Sequence, residues 1–405
     1  MKDSIPDPVE VKPTRKTADF SIALGGPFYR ILRRIHLSGD SLKLLRQRVI
    51  VLSLVAWLPL LLLSALEGHA LGGSVSVPFL TDLEAHARFL LVLPLLIIAE
   101  LVVHRRMHTV VRQFLERKLI PEDAITRFED ATASANRLRN STLAELLLIA
   151  FVYGVGILVI WRHYMALDVA TWYAVPSAEG TTKLSFTGMW YGFVSLPLFQ
   201  FLLCRWYYRL FIWTRFIWQV SRIQLSLVPT HPDRVGGLGF LSMTADALIV
   251  LAIAHGAMLA GTLASKIFFL GTTLPGHMAE IVGMVIFVQF LILGPLLVFM
   301  PQLIAAKWKG IIDYGGLYAR NVRELDTRWL RGGAYAADPL ACINEIQTLA
   351  DLDAGYQIVK GMNYMPFSWR VMLFLAVATI SPLLPLLLTM MPLEELLLKI
   401  FSVLF

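Results

Sequence analysis

Seven stretches of this chain run nearly free of charge for about the length of a bilayer crossing. They are Val49–Leu66, Phe89–Val103, Leu143–Trp161, Trp190–Leu210, Ala247–Ser265, Ile281–Met300 and Val371–Met391. A hydrocarbon core about 30 Å thick takes roughly 20 apolar residues of helix to span. Lipid offers no partner for an unpaired peptide group, so runs of this kind are helical. Across 405 residues, 57% are apolar and only 16% charged, outside the range of ordinary soluble domains. The expected fold class is all-α: a polytopic transmembrane helix bundle of about seven spans. The run at Phe89–Val103 is the shortest, and spans only if His104 and the arginines after it snorkel to the interface.

The charges left over sort by loop. Assigning alternate loops to the two sides puts 31 Lys and Arg on one side and 5 on the other. Positive residues are retained in the cytoplasm, so this asymmetry predicts the N-terminus inside and the C-terminus outside. It also explains the net charge of +7, which anionic headgroups on the cytoplasmic side balance, and it argues against nucleic acid as a partner. Cys204 and Cys342 have neither the spacing nor the compartment for a disulfide or a zinc knot.

Four regions follow. Residues 1–48 read as a cytoplasmic arm with an interfacial helix from about Phe28, and 49–300 as spans one to six with helical cytoplasmic loops. Residues 301–370 read as a small cytoplasmic helical cap, and 371–405 as the last span with a C-terminal interfacial helix. In the cap, a helix enters at Asp338-Pro339, and Gly355 and Gly361 mark interruptions or ends. Prolines 295, 382 and 385 fall inside spans six and seven, where they would kink the helices.

The most distinctive short stretch is THPDRVGGLGFL, residues 230–241. The segment before it sets Arg205, Arg209, Arg215 and Arg222 on one helical arc among aromatics, which reads as a helix running along the inner membrane surface. The loop itself has two open readings. His231 and Arg234, with amides near Gly236, Gly237 and Gly239, make an anion cradle or gate. Alternatively Asp233 caps the next helix or pairs with Arg234, and the glycines only permit a sharp turn. The spacing matches neither common phosphate-loop fingerprint. This stretch, with IQTLADLDAGYQIVKGM and PFSWRVMLFLAVATISPLLPLLLTMMPLEELL, resembles a family of uncharacterised multi-pass proteins in bacterial inner membranes, from about residue 40 onward. The resemblance implies that location and no activity, cofactor or catalytic residue.

Two further groups carry chemistry. Glu100, His104 and His108 recur every four residues, so they share a helical face that would suit a metal or a proton relay, or simply a helix C-terminus. Glu145, His255 and Gln289 are polar groups at bilayer depth, costly unless partnered and therefore functional candidates. Gly256, Ala260 and Gly261 beside His255 allow another helix to approach closely. No catalytic triad, paired carboxylates or nucleotide loop is present, so no cofactor is expected. The leading expectation is a membrane protein that binds or moves a small solute or ion. Against it stands a scaffold, sensor or assembly factor recruiting a cytoplasmic partner or a second copy. A third reading is an enzyme of lipid headgroups using His231, Asp233 and Arg234.

Overall fold

The computed structural model describes residues 20–34, 42–72, 75–154, 171–176, 182–331 and 339–390. Its α-helices of eight residues or more are α1 (Pro27–Arg34), α2 (Leu42–Leu66), α3 (Leu93–Glu116), α4 (Ile125–Arg139), α5 (Thr142–Phe151), α6 (Leu196–Val220), α7 (Met243–Leu270), α8 (Met278–Leu293), α9 (Met300–Leu325), α10 (Pro339–Lys360) and α11 (Trp369–Ile380). Six helical stretches among the described residues are long and apolar enough to cross a membrane. The protein is an all-α, multi-pass membrane bundle. Of the expected third span, only the apolar helix Thr142–Gly154 is described, and the rest of Leu143–Trp161 lies outside the described residues. So do residues 1–19 of the arm and 391–405 at the C-terminus.

Helix α7 is the centre of the bundle. It packs on α3, α8 and α11, and Leu248, Leu251, Ala252 and Leu263 along it are fully buried. Its small residues permit this. A Cβ on Gly256 would stand 1.9 Å from the Thr379 carbonyl oxygen of α11, so two backbones touch where only hydrogen fits. Helix α3 extends well beyond Phe89–Val103. With a short helix (Leu83–His86) and a π-type turn (Ala87–Val92) it forms a 34-residue rod. A second π-type turn, Tyr191–Ser195, sits opposite the first, and Arg88 Nη1 donates to Tyr191 Oη at 2.7 Å between them.

The prolines break helices where expected. Pro295 sits in a 3-10 stretch (Gly294–Phe299) and Pro382 and Pro385 in another (Ser381–Thr389). No break in the helical path marks residue 301, the expected start of the cap. From Leu274 to Leu325 the path is helical for 52 residues, and at 1.5 Å per residue this is roughly 75 Å, more than twice the hydrocarbon thickness. Its last segment, α9, pairs with α10, which begins at Pro339 as read from sequence. Gly355 is interior to α10, a correction: with nothing within 4 Å of its position, it neither ends nor interrupts the helix. Gly361 does follow the helix end. The N-terminal interfacial helix is also revised, to the short α1, with α2 already helical from Leu42.

The Lys/Arg-rich connections meet at one end of the bundle. Ser226 N donates to Leu119 O, Arg117 Nη1 to Gly237 O and Asn363 N to Arg234 O, at 2.9, 3.2 and 2.7 Å. The poorly charged connections meet at the other. There Trp172 is fully buried and donates from Nε1 to Asp82 at 2.9 Å, beside a two-stranded hairpin, β1 (Ala174–Pro176) and β2 (Thr182–Leu184).

Candidate functional site

The loop between α6 and α7 is built around one carboxylate. Asp233 Oδ1 accepts from the amides of Val235 (2.9 Å) and Gly237 (3.1 Å), and Oδ2 from Gly239 (2.9 Å). The converging amides expected to cradle an anion are therefore filled by the chain's own anion. The backbone reaches this shape through left-handed residues, Arg234 (φ 57°) and Gly237 (φ 98°). A Cβ on Gly239 would stand 2.9 Å from Asp233 Oδ2, so that glycine is what lets the amide close on the carboxylate. Burial pushes the Asp233 carboxyl up, but the three amides and His231 outweigh it and hold the group below its ordinary 3.8.

A depressed carboxyl contributes stability that is present above its unfolded value and lost as pH falls through its folded value. Asp233→Asn is thus expected to cost about 1–3 kcal/mol at neutral pH, the scale of buried donors left unsatisfied. The gap in melting temperature between variant and wild type should hold down to about pH 4. It should narrow only below the ordinary 3.8. A gap unchanged to pH 2.5 would show that the carboxylate charge does not hold the loop.

His231 Nδ1 lies 2.9 Å from Asp233 Oδ1. The Asp233 amide also approaches Nδ1, at 3.3 Å, so the loop holds the imidazole by its Nδ1 edge. The histidine is about one-third exposed and forms part of the wall of a cavity of about 640 Å³. Asp233 itself, Arg117 from the end of α3, Ser242 at the head of α7, and Asn363 and Ser368 before α11 complete its polar wall, with Phe240 and Phe367 as apolar floor. The Arg117 guanidinium stacks 5.1 Å over Phe240 while donating to Gly237 O, so its position is set by the loop. Arg234 is not part of that wall. Its guanidinium carbon is 3.8 Å from where a Cβ on Gly361 would stand. Gly236 packs on Leu227 and Met362.

The remaining candidates are bound up inside the fold. His255 is buried, with Nδ1 2.7 Å from Leu251 O and Nε2 3.0 Å from Tyr207 Oη. Gln289 donates to Met372 O at 3.1 Å across the α8–α11 contact. His104 meets Ser21 Oγ at 2.9 Å, and no group of three His, Cys, Asp or Glu able to hold a metal gathers among the described residues.

Glu100 instead anchors a buried charge cluster. Its Oε1 accepts from Arg205 (3.0 Å) and Arg209 (2.8 Å), and its Oε2 lies 2.5 Å from Arg48. Glu145 joins through Arg205 Nε at 3.4 Å. Three guanidiniums against two carboxylates leave one positive charge in excess. Backbone takes up part of the surplus: Arg209 Nη2 reaches Ala23 O and Arg205 Nη2 reaches Gly25 O, at 2.5 and 3.1 Å. Glu145 in turn accepts from Phe28 N (2.6 Å), and Arg139 donates to Ser21 O (2.6 Å). Residues 20–28 therefore form a strap pinned into the bundle, with Phe20 and Ile22 buried. This corrects the surface-helix reading of 205–222. Arg205 and Arg209 face inward on one continuous rod, Phe186–Val220, Arg222 lies beyond its end, and Trp206 and Trp213 are core residues.

Comparison with protein families, with curated proteins and with solved structures finds no match for the chain.

Proposed function

We propose that this membrane protein binds a small polar or ionic solute in the cavity between the His231–Phe240 loop, Arg117 and the Asn363–Ser368 connection. The basic end would face the cytoplasm of a bacterium, with the bundle in its inner membrane, as the Lys/Arg distribution and the family resemblance suggest. One observation carries the reading. A cation, a histidine, the Asp233 carboxylate and neutral hydrogen-bonding groups from three distant segments line one cavity, and the amide bonds to Asp233 hold its wall in place. Support is better for binding than for passage, because His255 and Gln289 at bilayer depth hydrogen-bond to their own neighbours rather than facing this cavity.

Thermal unfolding of the detergent-purified protein against ions, nucleotides and anionic metabolites tests this. One chemical class should raise the melting temperature by several degrees. At a ligand concentration of 100 Kd, binding adds about 2.7 kcal/mol to stability. Arg117→Ala and His231→Ala should abolish the shift, while the loss of their loop contacts lowers the unliganded melting temperature by only a few degrees. A shift that survives both variants, or no shift in the wild type, would overturn the proposal. In the second case the projecting α9–α10 hairpin, with Leu317 and Val322 exposed, favours a component that recruits a soluble protein.

A further inference from the structure

A second cavity, of about 590 Å³, opens at the same basic end between the Arg222–Pro229 connection and the first turns of α9. Its base is fixed. Gln302 donates from Nε2 to Ser221 O (2.6 Å) and Ile223 O (2.7 Å), tying α9 to the connection. A Cβ on Gly310 would stand 2.7 Å from the Pro229 side chain, so the glycine sets how closely the two walls meet. Three charged side chains line the cavity: Arg222, Lys309 and Asp313. All three are exposed, and none makes an ion pair among the described residues. Arg222 is held 4.9 Å over the ring of Trp218, which is itself half exposed at the end of the α6 rod. Beside the cavity, Val228, Trp308 and Ile312 are also exposed.

The placement matters as much as the composition. Trp218 and Arg222 stand at the basic end of a rod long and apolar enough to cross a membrane, and tryptophan is enriched where headgroups meet hydrocarbon. A ligand reaching this cavity from the bilayer would bring its polar head to two cations and one carboxylate, and its acyl chains to Trp218, Trp308 and Ile312. Two cations suit a phosphodiester, and the carboxylate suits an ammonium. A purely anionic headgroup would leave Asp313 repelling it. We infer that this cavity is a binding site for an aminophospholipid of the phosphatidylethanolamine type, with Arg222 and Lys309 on the phosphate and Asp313 on the amine.

Native mass spectrometry of the full chain, released from nanodiscs of equimolar phosphatidylethanolamine, phosphatidylglycerol and phosphatidylcholine, reads this directly. Wild type should retain phosphatidylethanolamine preferentially. Asp313→Asn should cut that preference by about two- to fivefold, the size of one partly exposed charge contact, and shift retention towards phosphatidylglycerol. Arg222→Ala with Lys309→Ala should lower retention of both lipids. Unchanged elution and melting of these surface variants would confirm that they fold. Retention independent of headgroup, or indifferent to all three substitutions, would overturn the inference. So would full displacement of the bound lipid by glycerophosphoethanolamine or inorganic phosphate, since either result would make this a site for a soluble phosphate.

Discussion

Glu100→Gln should be among the most damaging single substitutions in this protein, lowering stability by about 3–5 kcal/mol, the cost of removing one partner from a buried ion cluster. The side-chain shape is conserved, so the loss is electrostatic. Arg48, Arg205 and Arg209 all point at this one carboxylate, and each of the four side chains is at most 4% exposed. Without it, three guanidiniums share Glu145 and a few carbonyls. Glu100→Gln protein should purify in low yield and melt well below wild type. It should also expose the strap, making residues 20–28 accessible to protease because the arginines that hold Ala23 and Gly25 lose their own anchor. Adding Arg209→Met should recover part of the loss, since an unpaired buried charge is what hurts. A double variant no better than the single would mean that the cluster acts through shape alone.

Gly256→Val should be nearly as severe for a different reason. The obstruction is backbone, the Thr379 carbonyl at 1.9 Å and Pro382 Cδ at 3.2 Å, so no rotamer change relieves it. Helices α7 and α11 must separate, and overpacking of this kind costs on the order of 3 kcal/mol. Gly283→Ala is the matched control: it lies in α8 with nothing within 4 Å, and helix propensity favours alanine there. Melting curves of the two variants should diverge by roughly 5–10 °C, or by loss of folded protein. Equal behaviour would mean that the α7–α11 contact does not carry the bundle.

These two positions show what was legible in the sequence. Hydropathy alone marks the spans, because lipid imposes helix on any long apolar run, and the close approach at Gly256 is written in its small neighbours. The role of Glu100 is not written locally. Its partners sit 52, 105 and 109 positions away, so a periodicity reading sees only His104 and His108 on the same helical face. The arginine arc of 205–222 is visible, but whether an arc faces headgroups or core depends on a carboxylate elsewhere. In the HPDR loop, the turn and its glycines are legible. That Asp233 occupies the amides is a matter of a few ångströms, and Arg117, from a loop crowded with arginines, carries no signal that sets it apart.

The central claim is that a solute occupies the cavity beside His231, and cysteine protection tests it most directly. In a background lacking Cys204 and Cys342, Asn363→Cys on the cavity wall and Gln224→Cys in the second cavity would each be labelled with a maleimide in proteoliposomes. The solute that raises the melting temperature should slow labelling at 363 and leave 224 unchanged. Equal labelling at 363 with and without that solute would contradict the site.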